Sequence, residues 1–74
     1  MSGDDVVGAV VAAFHGGDAD RLRLALHPYV HWTTAEGRRI RGRTNVLVLL
    51  ATRTALTPPA AYELRDGQVY RWYE

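Results

Sequence analysis

The sequence predicts an α+β domain of three helices packed on an antiparallel sheet, in the order helix, helix, strand, strand, helix, strand, strand. Three observations carry that prediction. Apolar residues recur at helical spacing from Val7 to Phe14, side chains alternate by face from Tyr29 to Thr34, and two β-prone runs flank Asp66-Gly67.

Ser2 or Asp4 caps the first helix, whose stripe is Val7, Val10, Val11 and Phe14 at i, i+3, i+4 and i+7. Asp4 and Asp5 stand at the end where the helix dipole favours negative charge. Gly16-Gly17 ends that helix, and Asp18 caps a shorter one with Leu22, Ala25 and Leu26 facing inward. His27-Pro28 stops it, because proline disfavours helical geometry in the residue before it. From Tyr29 a strand puts Val30, Trp32 and Thr34 on one face and Tyr29, His31 and Thr33 on the other. Ala35-Glu36-Gly37 is a turn, and Arg38 to Arg41 form a short strand with Ile40 inward. Gly42 breaks it before a third helix from Arg43 to about Arg53, with Thr44 or a neighbour as its start. Val46 to Leu50 make that helix apolar nearly all round, so it is expected to be buried on more than one side. Pro58-Pro59 closes the loop that follows.

Asp66-Gly67 suits a two-residue type I′ hairpin, whose central positions both need positive φ. With that turn, Leu64 pairs with Val69, Glu63 with Tyr70, Tyr62 with Arg71 and Ala61 with Trp72. Leu64 and Val69 then face the core, and Glu63, Tyr70 and Trp72 the opposite side.

Seventy-four residues make one domain, 1–74. A chain of this size buries only about 60–65% of its unfolded surface, so its core is marginal alone. There is no Cys, hence no disulfide and no thiolate metal site. Dense packing or oligomerisation remains as the stabilising route, and a homodimer is expected. The absence of Cys fits a cytoplasmic protein. The start lacks the basic region of a signal peptide, and its apolar run is too short to span a bilayer, so no membrane association is expected. All nine basic residues are Arg, and the net charge of +1 gives nucleic-acid binding no global support.

Three stretches, GDADRLRLALHPYVHW (17–32), EGRRIRGRTNV (36–46) and YELRDGQVYRW (62–72), together resemble the nuclear transport factor 2-like superfamily. The nearest branch is that of the SnoaL-like polyketide cyclases, with ketosteroid isomerase more distant. The resemblance rests on an acidic residue opening the second helix, a short strand ending in Trp32, Gly42 ahead of the third helix, and the Asp-Gly hairpin. It implies a curved sheet and a cone-like fold around an apolar pocket. It also implies a shortened domain, since members of the superfamily usually continue past this hairpin with further strands. Two alternatives follow: a miniature that dimerises, so that a second copy sharing the sheet completes it, which is the expectation here, or a fragment. The ligand implied is a small apolar or polycyclic metabolite, and the activity a cyclase or isomerase, with no cofactor. Phe14, Val30, Trp32, Leu64 and Tyr62 are the candidate ligand-binding residues.

The proton-shuttling carboxylate of the isomerases falls at Thr33 when aligned on Gly42, and at Thr34 when aligned on Trp32. A threonine hydroxyl cannot do that work near neutral pH. His31, beside Trp32, is the remaining candidate general base. The alternative for His31 is a half-exposed strand residue on a solvent or dimer face. His15 and His27 read as helix-end residues, and three scattered His make no metal site. Tyr70 and Trp72 are candidate interface anchors, because Tyr and Trp dominate interface hot spots. Arg38, Arg39, Arg41 and Arg43 form a basic run that strand alternation divides between two faces. The alternative function is therefore a non-catalytic dimerisation or protein-interaction module of the same fold.

Overall fold

In the computed structural model, which describes residues 3–74, the elements follow the expected order. They are α1 (Gly3–His15), α2 (Ala19–Ala25), β1 (Leu26–Thr33), β2 (Arg39–Arg41), α3 (Arg43–Ala51), β3 (Ala61–Arg65) and β4 (Gln68–Tyr73). Ser2 lies outside the described residues, and Asp4 sits within the first turn of α1 rather than ahead of it.

In α1, Val7, Val10 and Ala13 are buried, while Val11 and Phe14 are half-buried against the core. Asp18 caps α2 as expected, its Oδ1 accepting the Arg21 N–H at 3.0 Å. The helix ends at Ala25, however, because Leu26 is already extended (φ −101, ψ 132). Leu26 thus opens β1, and His27-Pro28 lies inside a strand rather than at a helix end. The extended geometry that proline imposes on His27 is met equally well there.

The sheet order is β2-β1-β4-β3. The outer pairs are antiparallel, but the central pair, β1 with β4, is parallel, so the sheet is mixed rather than wholly antiparallel. The chain leaves β2 through α3, lays down β3 at the far edge, and turns back into the middle alongside β1.

At the hairpin, Asp66 (φ 55) and Gly67 (φ 75) both adopt the left-handed geometry that a type I′ turn needs. Arg65 pairs with Gln68 and Leu64 with Val69. Beyond them the register departs from expectation: Glu63 pairs with Arg71, Tyr62 with Trp72 and Ala61 with Tyr73. Tyr70 is the extra residue of a β-bulge, which resets the alternation of faces. Val69 and Trp72, three positions apart, therefore both point inward and are fully buried. Opposite the bulge, β1 is irregular between Leu26 and His31, the stretch holding Pro28, which has no N–H for a ladder.

The core lies between the inner face of the sheet and the helices. Leu26, Val30, Trp32, Val69 and Trp72 meet Val7 and Val10 of α1, Leu22 of α2, and Val46 and Leu50 of α3. α3 buries Val46 and Leu50 and half-buries Leu47 and Leu49 on its flanks. Val48 is 63% exposed, so the helix is not enclosed all round.

Candidate functional site: a groove between the helices

Trp32 and Trp72 are register partners across the parallel pair. Their rings stack with centroids 4.7 Å apart and planes inclined by 6°. Neighbouring strands are about 4.8 Å apart, so two inward indoles in register stack face to face. They are fully buried, as is Val30. Val30 and Trp32, expected to line a pocket, instead fill the core, and Leu64 packs half-buried against it. Trp72, expected on the exposed side as an interface anchor, is in the core because the Tyr70 bulge turns it inward.

Open space lies farther out, between the helices. A groove of about 430 Å³ runs between the end of α1, α2 and α3. Ala13, Phe14, Leu22, Leu47, Leu50 and Ala51 supply its apolar walls. Its polar rim includes His15, Asp20, Arg23, Arg53 and Thr54. Phe14 is the one expected ligand-binding residue that lines it.

Two rim groups are held by specific bonds. His15 Nε2 accepts the Leu56 N–H at 3.3 Å, which fixes the imidazole as an acceptor at that nitrogen. Its ring meets Phe14 edge-on at 5.2 Å. Arg53 donates from Nη1 and Nη2 to Glu74 Oε1 and Oε2 at 2.7 and 3.0 Å. Glu74 Oε2 also accepts from Trp32 Nε1 at 2.9 Å. Hydrogen bonding from Arg53 holds the Glu74 carboxyl below its ordinary value; burial opposes this, and the Trp32 bond and the Arg53 charge add to it. The same pairing raises Arg53. One side of the groove is thus tied to the tryptophan pair.

His31 lies on the other face of the sheet, half-buried, with Arg41 and Arg71 as register neighbours. The strand alternation placed it there correctly, opposite Val30 and Trp32. His27 is buried in β1, where its Nδ1 accepts the Tyr29 N–H at 3.0 Å and its Nε2 lies 3.7 Å from Asp66 Oδ2. Tyr70 is half-buried, edge-on to His27 and His31 at 5.2 and 5.3 Å, with the Arg65 guanidinium 4.1 Å above its ring. Tyr62 is 37% exposed and donates its hydroxyl to Asp4 Oδ1 at 3.2 Å. Burial and that bond raise its phenol. Thr34 Oγ1 accepts the Arg38 N–H and serves the turn. Among the described residues no group of three or more His, Cys, Asp or Glu could hold a metal, and no helix is long and apolar enough to cross a membrane.

Sequence reasoning missed His15, Leu22, Leu47, Ala51 and Arg53 as groove residues. The apolar excess of α3 was the available signal for Leu47. The bonding of Arg53 to Glu74 had none, since the two are 21 positions apart.

No family model matches the chain, and no curated protein matches it. Solved structures do. A polyketide cyclase-like protein of Pseudomonas putida KT2440 superposes with a TM-score of 0.77 at 14% identity, over 99% of this chain and 90% of that one. A ketosteroid isomerase-like protein of Kribbella flavida DSM 17836 gives 0.72 at 17% identity, over 95% and 76%. A nuclear transport factor 2-like protein of unknown function from Burkholderia xenovorans LB400 gives 0.69 at 18% identity, over 92% and 77%. With three helices on one face of an open four-stranded sheet and these three structural likenesses, the chain has the α+β fold of nuclear transport factor 2-like and SnoaL-like proteins.

Proposed function

We propose that this protein is a cytoplasmic binder of a small, largely apolar molecule, seated in the groove between α1, α2 and α3. The observation that carries the reading is the groove itself: about 430 Å³, with apolar walls and a polar rim. That volume and that division of surface are those of small-molecule sites. Two fold neighbours, one ketosteroid isomerase-like and one polyketide cyclase-like, make a fused-ring ligand the natural first probe.

Binding has more support than turnover. His15 is committed through Nε2, Arg53 and Glu74 are committed to each other, and the family resemblance puts the isomerases' carboxylate at Thr33 or at Thr34, depending on the alignment. His31 is separated from the groove by the sheet.

The reading is tested by titrating 2-naphthol into labelled protein and following backbone amide resonances. Saturable shifts are expected at Phe14, Leu22, Leu47 and Ala51. Ala51→Trp, at an exposed position, fills the groove and should weaken binding at least tenfold. Shifts spread over the sheet instead, or an Ala51→Trp protein that binds equally well, would overturn it.

A second reading is self-association through the outer side of α3. Val48 is 63% exposed there, beside half-buried Leu49 and Ile40. A second copy covering these residues would supplement a core that is small because the chain is short.

A further inference from the structure

The face of the sheet turned away from the helices holds chemistry that the groove does not use. Arg41, His31 and Arg71 are register partners across β2, β1 and β4. The next row along is Arg39, Thr33 and Tyr73. Together these six residues line a hollow of about 290 Å³. The basic run that alternation was expected to dilute is thus rebuilt in three dimensions: Arg39 and Arg41 keep to one face, and Arg71 joins them from a strand 30 positions later in the chain.

Like charges side by side on a sheet destabilise it. The nearest compensation is Glu63, whose Oε2 lies 3.2 Å from Arg71 Nε. Among the described residues, the guanidiniums of Arg39 and Arg41 meet no carboxylate. Three guanidiniums, an imidazole and two hydroxyls therefore converge on one hollow with a single acid beside it. Strands stand about 4.8 Å apart, so the Arg41 and Arg71 backbones are about 10 Å apart, and both long side chains can lean over His31. Each guanidinium offers a planar fork that matches two oxygens of a phosphoryl group, and the hydroxyls of Thr33 and Tyr73 can serve further oxygens.

We infer that this hollow is an anion site for a phosphorylated small molecule, with Arg41 and Arg71 gripping a phosphate or diphosphate from either side of His31. A polynucleotide is disfavoured, because a net charge of +1 supplies no field to hold a long polyanion. The site lies across the sheet from the helical groove and stands or falls independently of it.

The probe is inorganic pyrophosphate, titrated into labelled protein at constant ionic strength with amide resonances as the readout. Saturable shifts are expected at His31, Thr33, Arg41 and Arg71. Arg41→Gln and Arg39→Gln should each weaken binding at least fivefold with the remaining spectrum unchanged. Arg21→Gln, which removes the same charge from α2, should leave binding intact. Shifts that sodium chloride reproduces, equal weakening by Arg21→Gln, or tighter binding of a single-stranded decanucleotide to this face would each overturn the proposal.

Discussion

Glu74 accepts three hydrogen bonds, two from Arg53 and one from Trp32, with 15% of its side chain exposed. Hydrogen bonds to a charged group contribute about 1.5–3 kcal/mol net, and partial exposure of the pair screens some of this. Glu74→Gln should therefore cost about 1–2 kcal/mol in urea unfolding at neutral pH. The folded carboxyl titrates below its unfolded counterpart. Its contribution is complete above the unfolded value and fades as pH falls through the folded one. Wild type and Glu74→Gln should accordingly differ at pH 7 and converge as the pH falls through the lowered folded value. A difference that persists in acid would show that the residue acts through packing instead. No spacing in the sequence links positions 32, 53 and 74. Helical and strand periodicities describe neighbours along one element, and this network joins three separate parts of the chain.

The terminal hairpin shows which element-scale features were readable. Its turn was, because positive φ at two successive positions is a local demand that Asp66-Gly67 meets. Gly67→Ala meets no steric obstacle within 4 Å but keeps φ at 75, so it should destabilise by about 1 kcal/mol. Gly8, within α1 and equally unobstructed, makes the opposite case: Gly8→Ala should stabilise by about 0.5–1 kcal/mol. Denaturation midpoints of the two variants should move in opposite directions, and a shift of the same sign in both would refute the conformational argument. The bulge was not readable. With Val69 inward, a continuous register turns Arg71 inward and leaves Tyr70 and Trp72 outside; the bulge turns Trp72 inward instead. Burying a large indole removes about 200 Å² from water, or about 5 kcal/mol. One missing ladder bond costs about 1 kcal/mol, and the unpartnered Trp72 Nε1 costs about 1–3 kcal/mol more. Burial wins, but only because Trp32 stands ready across the parallel pair, a neighbour that local alternation could not reveal.

At the scale of the molecule, the element order was legible and the sheet order was not. Seven elements could be placed because each carries its own period and its own stops. The parallel junction of β1 with β4 depends on where the chain goes after α3, and nothing within either strand states it. The apolar content of α3 suggested a missing partner, and the exposure of Val48 keeps that suggestion concrete. On the self-association reading, light scattering should give twice the chain mass of 8.3 kDa at micromolar concentration. Val48→Glu should halve it, whereas a folded monomeric wild type would remove α3 as an interface. Both rows of the cationic face lie on the opposite side of the sheet from the tryptophan stack. The stack itself joins residues 40 positions apart, at the one junction between the first strand and the last. Two parallel indoles at 4.7 Å have coupled electronic transitions. The protein thus carries a built-in optical gauge of chain closure: its circular dichroism reports when the first strand and the last have met at the centre of the sheet.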